Sequence, residues 1–161
     1  MKQSCFYESP IGILQISEDD GKITNLCLHQ KTGDATCDSG VQRKVPELLQ
    51  EACRQLDEYF RGKRSQFDLP LGYTGTPFQE SVWRELQQSP SGETRSYEDI
   101  AVKIGNPKAV RAVGQANNQN PILLLIPCHR VIHKSGDISG FACGVETKKY
   151  LLDLERRSGC P

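Results

Sequence analysis

Ser96-Tyr97-Glu98-Asp99-Ile100-Ala101, then Gly105-Asn106-Pro107-Lys108, then Ala109-Val110-Arg111-Ala112-Val113-Gly114-Gln115-Ala116-Asn117-Asn118, read as two short helices about a tight turn. Ser96 suits an N-cap with Asp99 at the third helical position. Gly105 breaks the first helix. Asn106 is expected to cap the second, with Pro107 at its first position, where a missing N–H does no harm. The pattern, at about 96–118, is that of a helix-turn-helix, although an ordinary αα-hairpin would read the same way. At 100° per residue, Ala109, Val110, Ala112, Val113 and Ala116 gather on a face expected to be buried. Arg111, Gly114, Gln115 and Asn118 gather on the opposite face. With few long side chains and a central glycine, that face suits close approach to a nucleic-acid backbone more than the reading of bases. Asn118, near the helix end, tolerates the left-handed conformation.

Downstream of this pair, Asn120-Pro121 leads into the apolar run Ile122-Leu123-Leu124-Leu125-Ile126 and then Pro127-Cys128-His129-Arg130. A thiol beside an imidazole at the end of a buried segment is a candidate nucleophile, because the neighbour can raise its thiolate fraction. The Cys-His pair alone does not distinguish this from an inert buried cysteine. In an extended segment adjacent side chains point opposite ways, so His129 is expected to reach Cys128 through a water rather than directly. A catalytic histidine also needs a group that fixes its tautomer. Glu155 is the candidate: on a helix around 148–157 it falls between Leu151 and Leu152, while Asp153, Arg156 and Arg157 point outward. A carboxylate on a buried face needs a partner. His129 would supply one, and a salt bridge to Arg130 is the structural alternative.

The helix pair and the thiol segment together resemble the O6-alkylguanine-DNA alkyltransferases, the methylated-DNA–protein-cysteine methyltransferases. The residues that carry the likeness are Gly75-Thr76-Pro77-Phe78-Gln79 with Val82-Trp83, Ser96-Tyr97, Gly105-Asn106-Pro107, Arg111-Ala112-Val113-Gly114, Asn120-Pro121 and Ile126 to Val131. Ser139-Gly140, Gly144-Val145, Lys148, Leu151-Leu152 and Glu155 continue it. The likeness is close over residues 75–157 and only of pattern before them. It implies direct-reversal DNA repair by a single-turnover SN2 transfer of the alkyl group from guanine O6, with O4 of thymine as a further possible substrate, onto Cys128. His129 and Glu155 would serve the thiol, and no cofactor or metal would be needed. The partner it implies is double-stranded DNA carrying O6-alkylguanine, held from the minor groove with little sequence specificity by a monomer. Arg111 would replace the flipped base and Tyr97 would crowd its 3′ phosphate, with a surface ion pair and core packing as their bland alternatives. Gly114, Gln115 and Asn118 would face the DNA. Asn120 and Pro121 would brace the site, and Val131, Ser139, Gly140 and Phe141 would shape the pocket. Phe141 stands where the family often has tyrosine, and Cys143 where glycine is common, changes expected to alter the alkyl groups accepted. A non-catalytic helix-turn-helix protein that binds DNA or senses lesions is the alternative function, though such relatives lack the cysteine; a cysteine hydrolase is another.

Charge placement agrees with a DNA-facing second half. The 161-residue chain has no net charge, which argues against a general nucleic-acid binder. Residues 95–134, however, carry six Lys/Arg against two acids, whereas residues 1–94 carry ten against fourteen. Hydrophobic content of 37% with 25% charged residues is ordinary for a soluble domain. The longest apolar run is too short to span a bilayer, and Met1-Lys2-Gln3-Ser4-Cys5 opens no signal peptide. A cytoplasmic protein is expected, nuclear if eukaryotic. Seven cysteines without a Cys-x-x-Cys spacing predict no disulfide framework. Cys27-Leu28-His29 with Cys5 could contribute to a zinc site, but four ligands are not evident.

The first part, 1–72, reads as a small sheet and a helix, and 73–161 as the DNA-binding and transfer domain. Strands are predicted at 4–9, 12–17 and 23–29, with Asp20-Gly21 as a hairpin turn. After a polar loop from Lys31 to Gly40, Val45, Leu48, Leu49, Ala52, Leu56 and Phe60 recur at helical spacing, and Gly62 ends the helix. Residues 63–75 read as a linker. Thr76, Pro77 and Gln79 form a capping-box start, followed by the stripe Phe78, Val82 and Leu86 with a structural Trp83. The fold class is α/β (α+β), and a ribonuclease H-like N-terminal part is what the resemblance adds.

Overall fold

In a computed structural model, residues 2–29, 45–138 and 144–158 are described. Period-two alternation at the start folds as an antiparallel meander of β1 (Gln3–Ser9), β2 (Gly12–Asp19) and β3 (Lys22–Leu28). Asp20 and Gly21 both have positive φ, 51° and 74°, as the expected two-residue hairpin requires. Cys5, Ile16 and Leu26 are register partners and share one face with Tyr7 and Leu14; Phe6, Gln15 and Cys27 share the other. The first face is covered by α1 (Glu47–Phe60). Its buried stripe is Leu49, Ala52, Gln55, Leu56 and Tyr59, rotated from the expected one: Val45 lies outside the helix and is exposed, and Leu48 and Phe60 sit at its margin. The helix stops where Gly62, at φ 74°, donates to the Tyr59 carbonyl while Lys63 donates to that of Glu58. That paired closure is a Schellman motif, which a residue with a side chain adopts at a cost.

The stretch read as a linker is tied to the sheet. Ile23 N–H donates to the Pro70 carbonyl and Gly72 N–H to that of Ile23, both at 2.8 Å. On the same strand Leu26 exchanges backbone bonds with Pro121 (3.0 Å) and Leu123 (2.8 Å). One edge of β3 is therefore occupied by two segments from further along the chain, leaving little of it open for pairing.

Beyond it, α2 (Pro77–Leu86) starts with the capping box of Thr76 and Gln79. Trp83 is buried and its Nε1 donates to the Ala116 carbonyl at 2.9 Å. The short β4 (Arg95–Ser96) runs into α3 (Tyr97–Lys103), capped by Ser96 with Asp99. Gly105 at φ 83° closes α3 by the same pair of bonds that ends α1. The second helix of the motif, α4 (Val110–Asn118), begins later than expected. Asn106 is not its cap: Ala109 N–H donates to the Asn106 carbonyl in a separate turn, and Ala109 stands at the N-cap without a side-chain bond. The turn satisfies locally the groups that capping would have used. Val113, Ala116 and Asn117 are buried, whereas Ala109, Val110 and Ala112 are only half so. Asn118 ends α4 without positive φ. A short β5 (Val131–Ile132) pairs in parallel with β4, and α5 (Val145–Ser158) closes the described chain. Among the described residues, no helix is long and apolar enough to cross a membrane.

Candidate active site

The segment that presents Cys128 is a looped, braced one, contrary to the extended strand expected. Asn120 reaches over it: its Nδ2 donates to the Ile126 carbonyl at 2.7 Å, and its Oδ1 accepts from Ile122 N–H at 2.9 Å. Inside that brace Leu125 N–H donates to the Leu123 carbonyl, and Leu124 is forced to φ 71°. A γ-turn of this hand is strained for a residue with a side chain, and such strain persists only where the surroundings over-determine it. Ile122 to Ile126 are all buried. Cys128, His129 and Arg130 then form one 3₁₀ turn, closed by Arg130 N–H on the Pro127 carbonyl at 3.1 Å. Alternation of neighbouring side chains therefore does not apply here.

All three residues of that turn are buried, and His129 and Arg130 converge on α5. Nε2 of His129 lies 2.7 Å from Glu155 Oε2. Nε and Nη2 of Arg130 donate to Oε1 and Oε2 of Glu155, each at 2.9 Å, a side-on fork. The remaining guanidinium nitrogen, Nη1, donates to the Ser89 carbonyl at 2.6 Å. A fourth donor comes from α1, since Tyr59 Oη–H lies 2.6 Å from Glu155 Oε2. The two partners weighed for Glu155 are thus both present. Burial alone would push the Glu155 carboxyl up, but the bonds and charges of His129 and Arg130 outweigh it and hold it well below the ordinary carboxylate range. Burial pushes the His129 imidazole down; Glu155 opposes this, while Arg130 and Lys148 reinforce it. An ionised carboxylate only accepts, so the proton of neutral His129 sits on Nε2 and the lone pair on Nδ1. Nδ1 is buried and has no hydrogen-bond partner among the described residues.

On the outward face of α4 lies an open concavity of about 770 Å³, lined by Tyr97, Lys108, Val110, Arg111, Gly114, Asn118 and His133, with Cys128 not among its lining residues. Four of the five residues expected to face DNA are gathered there, and Gln115 is exposed on the same helix outside the lining. A Cβ at Gly114 would lie 3.9 Å from the Tyr97 ring, an ordinary van der Waals contact, so packing within the protein does not itself demand a glycine there. Tyr97 borders both regions: its ring stacks obliquely on His133 with centroids 5.0 Å apart, and burial and then the Cys128 charge push its hydroxyl up. Lys148 is fully buried with Nζ 6.0 Å from the centre of that ring. Burial pushes its ammonium down, and Cys128 and Asp137 partly restore it. Val131 is buried in the β4–β5 pair, and Pro121 serves the clasp on β3. Ser139, Gly140, Phe141 and Cys143 lie outside the described residues.

Cys5 and Cys27 cannot share a metal as the sequence left open, because strand register points them to opposite faces. Sequence reasoning passed over Tyr59, Ser89 and His133. Tyr59 did leave a signal. It continues Leu49, Ala52 and Leu56 at helical spacing, and a phenol on a buried stripe requires a hydrogen-bond partner.

Comparison with known proteins covers nearly the whole chain. The "6-O-methylguanine DNA methyltransferase, ribonuclease-like domain" model matches residues 4–73, and the corresponding DNA binding domain model matches residues 77–157. A constitutive methylated-DNA–protein-cysteine methyltransferase of Bacillus subtilis is 47% identical over 155 residues, 94% of this chain and 93% of that protein. One of Methanosarcina acetivorans is 48% identical over 151 residues, 92% and 95% of the two chains. The crystal structure of Mycobacterium tuberculosis O6-methylguanine methyltransferase superposes with a TM-score of 0.85 at 40% identity, covering 100% of this chain and 96% of that one. A structure of the Mycobacterium tuberculosis protein in complex with DNA gives 0.82 at 39% identity, covering 98% and 93%.

Proposed function

The chain belongs to the 6-O-methylguanine DNA methyltransferase family, and on that premise we propose that it repairs alkylated DNA by moving the alkyl group from guanine O6 onto Cys128. The observation that carries this reading is the 2.7 Å contact of His129 Nε2 with Glu155 Oε2, from which the tautomer of neutral His129 follows. With Nε2 held on Glu155 and Nδ1 left as a buried base, the turn that bears the thiol also bears an acceptor for its proton. The thiol proton passes to Nδ1, directly or through one water. The Cys128 sulfur attacks the alkyl carbon in line with the bond to O6, the C–O6 bond breaks, and its electron pair returns to the guanine, which takes up a proton. The thioether left on Cys128 is stable, so each molecule reacts once.

Reaching O6 requires the base to leave the duplex stack, at a cost of a few kcal/mol. The concavity bounded by Arg111, Gly114 and Asn118, with Tyr97 at its border with Cys128, supports docking of DNA there. Arg111 is exposed and long enough to enter the vacated position. Tyr97, mostly buried as core packing requires, still lines the concavity and would meet the flanking backbone there, and the glycine would let the duplex approach. Binding from the minor groove with little sequence preference suits a face so poor in base-reading side chains. The decisive experiment incubates the protein with duplex DNA containing O6-methylguanine and measures intact mass with peptide mapping. One methyl per molecule on the Cys128 peptide is expected. A label on another cysteine, or continued turnover, would overturn the proposal.

A further inference from the structure

We propose that Tyr59, on α1 of the sheet-and-helix part, is a positioning residue of the transfer site, holding the Glu155 oxygen on which His129 rests. The proposal builds on the reading of His129 as the proton acceptor. Tyr59 lies 96 residues from Glu155 in sequence and is 2% exposed, and its hydroxyl donates to Oε2, the atom that also faces His129 Nε2. Its ring is located independently, edge-on to Phe60 with centroids 5.3 Å apart and tilted on Phe67 at 5.2 Å. The phenol is therefore aimed by its own packing. Burial, then the Glu155 charge, pushes its ionisation well above the usual range, so it remains a donor throughout the working pH.

The phenol and the imidazole compete for the same negative oxygen. Removing the phenol concentrates the Glu155 charge on His129, favours the imidazolium and lowers the share of molecules able to accept the thiol proton. The other groups facing this point are Lys148 from α5 and Arg130 and Cys128 from the turn itself, with Tyr150 beside Tyr59. The test is single-turnover methyl transfer to Cys128 across about pH 5 to 9, for the wild type and Tyr59→Phe. In the variant the acidic limb of the profile should move up by about half a pH unit, with rates on that limb falling roughly threefold. The high-pH plateau and the ratio of duplex to free-base reaction should be kept. A limb that stays in place while only thermal stability falls would reduce Tyr59 to a packing role. Should Tyr59→Phe fail to fold, 3-fluorotyrosine at position 59 keeps the question open to measurement: its stronger donor must move the limb down, and an unmoved limb overturns the proposal. Absence of any methyl on wild-type Cys128 would instead remove the underlying reading.

A separate observation concerns two thiols far from that chemistry. Cys5 on β1 and Cys53 on α1 have Sγ atoms 3.7 Å apart and are both partly accessible. We infer that they form a reversible disulfide site for small disulfide oxidants such as oxidised glutathione. One thiolate attacks the oxidant to give a mixed disulfide and one glutathione; the second thiol displaces the other glutathione, so two thiols are oxidised and one disulfide reduced. Either sulfur can donate across this contact, and with Cys5 as the donor the bond favours the Cys53 thiolate against the effect of burial. Oxidised glutathione should lower the intact mass by about two units and link the Cys5 and Cys53 peptides, reversibly with dithiothreitol, while Cys128 still accepts a methyl. A lasting glutathione adduct, a cross-link to another cysteine, or no change at either residue would overturn the assignment.

Discussion

The face of α4 and the turn at Cys128 meet at Tyr97, yet they are held in opposite ways. On α4, Arg111, Gln115 and Asn118 stand exposed with their charge and amides in water. At the turn, one carboxylate from α5 gathers a phenol, an imidazole and one edge of a guanidinium out of solvent. Groups that must meet a mobile polymer remain free to rearrange, and their contribution is screened by salt. Groups that must hold one proton at one atom are fixed by partners that constrain each other. The contrast predicts large, coupled effects from the turn and small, separable effects from the face.

Cys128→Ala is the largest break: transfer should vanish while DNA binding, followed by fluorescence anisotropy, is retained. Glu155→Ala should be next, because it strands Arg130 and His129 in the interior. About 3–5 kcal/mol of stability should go, measured by urea unfolding, and single-turnover transfer should fall by about two orders of magnitude or more. The same cluster makes the protein acid-labile. Glu155 is held below its unfolded value, so its stabilisation is present above the ordinary carboxylate range and lost as pH falls through it. His129 is likewise held below its unfolded value, so stability begins to fall as pH drops through about 6.5. Melting temperature against pH should show both steps, and in Glu155→Ala the lower one should shrink.

Arg111→Ala probes the other side. Repair of duplex O6-methylguanine should slow by about one to two orders of magnitude, the size of a base-flipping cost. Reaction with free O6-benzylguanine, where the pocket admits it, should be unchanged; equal losses on both would place Arg111 in the fold and blur the contrast. Lys108→Ala should give the smallest effect, a modest loss of affinity for any duplex and a salt dependence shallower by about one unit. A change in transfer rate at saturating DNA would show instead that Lys108 acts on the chemistry.

Where a few neighbouring residues settle a structure, the sequence was sufficient. The capping boxes at Thr76 and Ser96, the Asp20-Gly21 hairpin and the glycine ends of α1 and α3 all follow from side chains reaching three or four residues along the chain. So does the outward set on α4, since helical spacing alone decides it. Local rules misled where two of them competed. Asn106-Pro107 reads as a helix start, but its backbone closes a turn first. The residues before Cys128 read as extended, but Asn120 folds them into a strained loop, using a side chain that sequence could name and not aim.

Helical spacing alone put Glu155 on a buried face in need of a partner, and the likeness to the alkyltransferases grouped it with Cys128 and His129. Only the tertiary structure decided which atoms meet. Glu155 takes Tyr59, His129 and Arg130 together, and the last two approach as a pair because they share a 3₁₀ turn. It also decided that β3 carries both the tie to Pro70 and the clasp to Pro121, joining the sheet to the site. The physical reason is range: propensity and capping act over one turn of helix, whereas a buried polar group takes whatever partner the packed chain brings within about 3 Å.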